Sequence, residues 1–357
     1  MPESAIRVSD PGDLIASIPS MLTFPPQRSL VVIVLRHDDA PEEQGSASIE
    51  AVARFDLGDD DPGLTRAAVR ACGHAADAIM AVIVDDRAAH PTRDRDSDRV
   101  PLVEQLTEGF ADLDVPVVGA WATSSITPGA LWWSLTDPMI CGQVPDPKAS
   151  AVAAASAAHG WPIRDSRDAI AALLTPDPAA VAEVDAVMLA VIAQLRGRSA
   201  RATARGELDA LRREAIEFIT AAVVATHRGD DITADDLARI ALELRDGMVR
   251  DVIVAFSADH HPDAAEALWL RLTRCLRNEA RADPATLLAI NAYLRGDGPL
   301  ASIALEAALT ADPHHRLARL FDTLLKAGLS PHQIRELGHA GNEAATALGI
   351  DISTLTP

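Results

Sequence analysis

Two adjacent carboxylates, Asp85 and Asp86, close the apolar run AIMAVIVDD, and Arg28 with Ser29 stands just ahead of the equally apolar SLVVIVL. A carboxylate at the carboxyl end of a buried strand can serve as acid, base or metal ligand, because α/β sheets open their clefts there. Successive strand residues point to opposite faces, so Asp85 and Asp86 do not share one cleft, and a paired-carboxylate mechanism is disfavoured. The favoured role for them is a solvated strand end that discourages edge pairing. Arg28 and Ser29 offer a guanidinium and a hydroxyl to an anion. The chain has neither a GxxxxGK[ST] nor a GxGxxG loop to support them, so a structural turn is the expected role. Trp132 and Trp133 are neighbours on a short strand, hence one ring faces in and the other out. The outward ring is a partner anchor or is covered, and cover by the helical half is the expected outcome.

Other reactive groups are weaker candidates. His260-His261 and His314-His315 are adjacent pairs in loops, whereas zinc sites draw on histidines four apart on a helix or on histidine with cysteine at set spacing. Cys72 and His74 point apart on a helix. Ser124-Ser125 lies in a hairpin without a GxSxG elbow. No metal and no cofactor is expected, and no catalytic residue can be assigned.

The elements that position these groups follow from periodicity. SLVVIVL is a buried strand preceded by the amphipathic DLIASIPSM, and IEAVARFDL alternates as a half-buried strand does. LTRAAVRACGHAADA is helical, AIMAVIV is a strand, LVEQLTEGFADL is helical, and VPVVGAWATSSI with ALWWSLTD forms a hairpin about Thr127-Pro128-Gly129. The acidic segment from His37 to Ser46, the turn GDDDPG and the mixed-charge His90 to Arg99 read as loops. After the Pro-punctuated DPMICGQVPDPK come two short helices, SAVAAASAAHG and DSRDAIAALL, the second capped by Asp165 or Ser166. These features predict an α/β domain with a mixed sheet over residues 1–176 and an all-α domain over 177–357. Long helical stretches are expected at Pro178 to Leu195, Leu208 to Thr226, Ala234 to Val254 and Ala264 to Arg281. From Ala282 to His315 two helices joined by Gly296-Asp297-Gly298 carry small residues Ala289, Ala301 and Ala308 at close-approach positions, so the fold is expected to end in a tetratricopeptide-like helix pair. A lone repeat of that kind caps a helical domain more readily than it forms a solenoid.

Composition narrows the classes. The 357 residues carry 32 basic and 52 acidic side chains for a net charge of −20. Neither half is basic: residues 1–176 hold 13 cations and 26 anions, residues 177–357 hold 19 and 26. Nucleic acid is therefore an unfavoured partner, and acidic membrane surfaces repel such a chain. The local basic stretch from Arg196 to Arg213 reads as a solvated helix face. Cys72, Cys141 and Cys275 are odd in number and widely spaced, and no basic leader or apolar run near the roughly 18 residues of a membrane span is seen. The expected location is the cytoplasm.

The opening DLIASIPSMLTFPPQRSLVVIVL, the strand ALWWSLTD and the late segment from Ala267 to Pro313 resemble, in that order, the actinobacterial DUF4192 family of uncharacterised proteins. The resemblance covers most of the chain. It implies the fold just derived and no activity. Members of that family often carry a cysteine pair soon after the WW strand; Cys141 stands alone here, which counts against a metal or redox role. Two functional readings follow. One is a non-catalytic interaction or regulatory protein that meets a protein partner through its helical half. The other is an enzyme or small-molecule binder with a cleft at the strand ends near Asp86 and Trp133.

Overall fold

A computed structural model describes residues 10–37, 47–58, 61–73, 76–88, 99–137, 139–158, 163–327 and 339–352. Of the expected loops His37 to Ser46 and His90 to Arg99, His37 ends a strand and Arg99 takes the N-cap position of a helix, and the rest, with His74, lie outside the described residues. Contacts divide the chain into two compact units, one of Met1–Ala169 with Lys326–Gly328 and the other of Ile170–Leu325 with Leu329–Pro357.

The first unit holds a six-stranded mixed sheet in the order β2-β1-β3-β4-β5-β6. The strands are β1 Ser29–His37, β2 Ala47–Asp56, β3 Ala78–Val84, β4 Val117–Thr123, β5 Leu131–Ser134 and β6 Cys141–Gln143. Only β3 and β4 run parallel among these neighbours; the other pairs are antiparallel. Helices α1 Pro11–Met21, α2 Asp61–Cys72, α3 Val100–Ala111 and α4 Ala151–Ala158 complete the unit. β1 is central, which explains its unbroken apolar sequence: Leu30 through Val34 are buried on both faces. β2 is an edge strand, and its burial does not follow the alternation of its sequence: its first five residues are all exposed and the next four part-buried, because one side of the strand has no neighbour. One face of the sheet packs Leu30, Val32, Ile79 and Ile83 against Leu102, Leu106 and Phe110 of α3. β6 falls inside the segment read from sequence as a connector; three residues between prolines give no periodic signal, and pairing with β5 makes it a strand.

The second unit is helical: α5 Arg167–Leu173 leads into it, followed by α6 Pro178–Arg205, α7 Leu208–Arg228, α8 Ala234–Glu243, α9 Gly247–Asp259, α10 Pro262–Cys275, α11 Ala282–Leu294, α12 Gly298–Ala311, α13 Arg316–Lys326 and α14 His339–Ala347. Ser166 caps α5, its hydroxyl accepting from the Ala169 N–H at 3.1 Å. Asp177 caps α6 by accepting from Ala179 and Ala180. α6 runs ten residues past the expected Leu195: RGRSARATAR contains no proline, Gly197 is carried inside the helix, and Gly206, whose φ of +70° is left-handed, ends it.

The stretch Ala234 to Val254 is two helices, not one. Apolar periodicity continues across the break, but Asp246 turns inward on the chain and caps α9 through Met248 and Val249. Likewise the stretch to Arg281 ends early: α10 stops at Cys275, and a 3-10 turn spans Asn278–Arg281.

α11 and α12 form a helix pair about Gly296, φ +93°, but α13 and α14 follow it, so the fold does not end in this pair as expected. Residues Ala282 to Ala292 of α11 are all buried, so this helix is the centre of the bundle and not its cap. Part of α6 also corrects the sequence reading of apolar runs. Within Arg167–Arg205 lies a window of mean hydropathy 1.6, long and apolar enough to cross a membrane by composition, of which 11% is buried. Glu183 and Asp185 interrupt the run to the eye without lowering its average enough to matter.

Candidate functional site

The start of β1 meets the ends of β2, β3 and β4, since Ser29 is in register with both Asp56 and Val84, and Val84 with Thr123. The sheet therefore gathers Arg28, Ser29, Asp85 and Asp86, the four polar candidates from sequence, at one edge beside the carboxyl ends of the parallel pair. Trp132 and Trp133 follow Thr123 across the β4–β5 ladder.

Asp85 is fully buried. Its backbone N–H donates to Thr123 O at 3.0 Å and its carbonyl accepts from Ala88, which fixes a tight turn after β3. One carboxylate oxygen accepts from the Arg87 N–H and Nε, both at 3.0 Å, and the other from Arg87 Nη2 and Arg99 Nη2. Burial pushes this carboxyl up, but the hydrogen bonds from Arg87 and Arg99 outweigh it and hold it below the ordinary aspartate range. Asp86, in the turn after β3, is exposed to solvent. Arg28 grips it with Nε at 2.9 Å and Nη2 at 3.4 Å, and this hydrogen bond lowers its carboxyl too. Arg28 sits at φ +43°, a left-handed conformation that costs a side-chain-bearing residue roughly 1 kcal/mol.

Ser29 is equally committed. Its hydroxyl donates to Gln27 O at 2.7 Å and accepts from Arg54 Nε at 2.8 Å, while Arg54 also pairs with Asp56 and lies 5.8 Å from the Phe24 ring. Four guanidiniums and three carboxylates thus form closed pairs along the strand ends. Both carboxylates of the AIMAVIVDD run stay ionised at neutral pH, and neither is poised to exchange a proton there.

The tryptophans are buried, Trp132 at 5% and Trp133 at 2% exposure. Trp133 belongs to the core face packed on α3. The Trp132 ring lies against Gly12 of α1 and Gly142 of β6, where any Cβ would come within 2.9 Å of it. Its cover comes from its own unit, in place of the helical half expected from sequence, because glycines at both contacts let an indole lie flat there.

Two further features stand out, and of their residues the sequence reading weighs only His315 as a reactive group, as half of a loop pair. In the helical unit Asp283, 6% exposed, accepts from Arg250 Nη1 and from His315 Nε2, each at 2.9 Å. His315 Nδ1 accepts the Ala318 N–H at 3.2 Å, so the ring caps α13. Burial pushes Asp283 up, and the hydrogen bonds from His315 and Arg250 override it to leave the carboxyl low. The three residues come from α9, α11 and the α12–α13 turn, and no local spacing signals them. The second feature is a cavity of about 490 Å³ lined by Ile192, Leu195, Leu208, Leu211, Leu242 and Val249, with Arg196, Arg212, Glu243 and Asp246 among its polar groups. Arg212 is held by Asp246 at 2.9 Å; burial raises the Glu243 carboxyl, with Arg239 opposing. Among the described residues no cluster of three or more His, Cys, Asp or Glu could hold a metal ion.

Comparison with protein families matches residues 11–332 to the domain of unknown function DUF4192. The chain belongs to the DUF4192 family. No curated protein and no solved structure matches it. The match takes in most of both units, so the sheet with its strand-end cluster and the helices from α5 to α13 fall within the one DUF4192 match, and α14 lies beyond it.

Proposed function

We propose that this DUF4192 protein is a non-catalytic interaction or regulatory protein whose contacts are made through its helical half. The observation that carries the reading is the closure of the strand-end cluster. Asp85, Asp86, Arg28 and Ser29 bind one another or their neighbours, so the groups best placed for chemistry are spent on joining strands. Apolar side chains stay uncovered in both units, Met139 and Val118 in the first and Leu189 of α6, 79% exposed, and Leu320 of α13, 53% exposed, in the helical one. Leu189 stands on the 28-residue α6, where an exposed apolar face can take a partner. The widely spaced, unpaired cysteines support action in the cytoplasm.

The competing reading, an enzyme or small-molecule binder with a cleft near Asp86 and Trp133, draws support from Asp86 lying beside the ends of parallel strands. Burial of Trp133 in the core weighs against it. One experiment separates the two. A thermal-shift screen of nucleotides, divalent metals and common metabolites is expected to leave the melting temperature unchanged. A ligand that raises it by several degrees in the native chain and has no effect on Asp86→Ala overturns the non-catalytic reading.

A further inference from the structure

We infer that the uncovered face of α6 is a homodimer interface, on which the α6 of a second copy of this chain lies antiparallel. The inference rests on the interaction reading above and names the partner. α6 has 28 residues and so runs about 42 Å. Its inward side is marked by buried Val184, Val191 and Ala202. On the opposite side Ala182, Ala186, Leu189, Ala193 and Ala200 are all exposed and recur at spacings of three, four and seven. That is the repeat of a helix seam, with one large knob among small residues that admit a close neighbour.

Charge selects the occupant. Glu183 and Arg201 flank this seam on the same side, 18 positions apart, and neither forms an ion pair within the described residues, although most α6 charges near them do: Asp185 with Arg277, Arg198 with Glu214 and Arg205 with Glu207. The two lie symmetrically about Ile192, which is also the middle of the helix. A twofold axis through that point, perpendicular to the seam, brings each Glu183 beside the Arg201 of the other copy, sets Leu189 near Ala193, and overlaps the helices along their whole length. A parallel pairing would leave both Glu183 and Arg201 without an opposite charge across the seam, and a twofold contact of this kind closes on itself without leaving a further face to polymerise. Insertion into a bilayer fits less well, because Glu183, Asp185, Arg196, Arg198 and Arg201 are distributed around the helix.

Sedimentation velocity of the full chain over a micromolar concentration series tests this. The native chain is expected to dimerise, and Leu189→Glu, at a position exposed in the free chain, to fold normally and weaken dimerisation at least about tenfold. Glu183→Arg and Arg201→Glu should each weaken it, and the two together should restore it. A native chain monomeric throughout, a double variant no better than either single one, or a monomer that floats with anionic phospholipid vesicles and loses this with Leu189→Glu, each overturns the inference. A monomeric chain with a flat ligand screen overturns self-association alone. A ligand lost in Asp86→Ala overturns the reading beneath it.

Discussion

Asp85 and Asp86 are neighbours with opposite fates, and their difference is the sharpest test at the scale of single residues. Asp85 is buried with four donors from two arginines; Asp86 is an exposed partner of an exposed arginine. Removing a buried, charge-assisted acceptor strands its donors, whereas an exposed ion pair contributes little. Asp85→Ala is expected to cost about 3 kcal/mol in urea unfolding and Asp86→Ala less than about 1 kcal/mol. Equal costs would show that the buried network is not what closes the sheet edge. A second residue prediction concerns Asp283, whose carboxyl is lowered in the folded state. A depressed carboxylate stabilises the fold above its unfolded pKa of about 3.9, and that contribution fades as pH falls through the still lower folded value. The native chain should therefore exceed Asp283→Asn in stability at neutral pH, with the gap closing below about pH 4. A gap constant from pH 7 to pH 3 would contradict the assignment of Arg250 and His315 as its partners.

Helices and strands were legible in the sequence where one period dominated a long segment. β1 and β3 read as buried strands because both faces are covered, and α7 reads as one helix because nothing interrupts it before Gly229. β6 was hidden by its three-residue length, and the α8–α9 break by a cap, Asp246, placed within a continuous apolar rhythm. The four polar candidates at the strand ends could be named from position along the chain, since strand ends are visible in sequence. What they do there could not be read, because Arg54 and Arg99 reach them from distant segments. At this scale Gly341 in α14 has a specific role. A Cβ there would stand 2.4 Å from Asp251 O and 2.7 Å from Ala255 Cβ, so only glycine lets α14 lie on α9. Gly341→Ala is expected to lower stability by about 1–3 kcal/mol. If urea unfolding finds it neutral, α14 does not pack on α9 this closely.

As a whole the molecule combines a sheet whose reactive edge is closed with a helical half whose longest helix stays open to solvent along one side. The self-pairing of the strand-end charges is the support for the proposal that contacts are made through the helical half. The central claim is that α6 of one chain pairs antiparallel with α6 of another. Pulsed electron paramagnetic resonance between spin labels tests it directly, using Thr203→Cys in a Cys141→Ser background. Cys72 and Cys275 are buried with thiols pushed up to about 12 and about 11, and so remain unlabelled. Position 203 lies 11 residues from the proposed axis, which places the two labels about 35 Å apart along antiparallel helices. A distance near that value is the predicted result; a distance below about 20 Å, as parallel helices at a spacing of 8–10 Å would give, or no dipolar coupling at all, would contradict it.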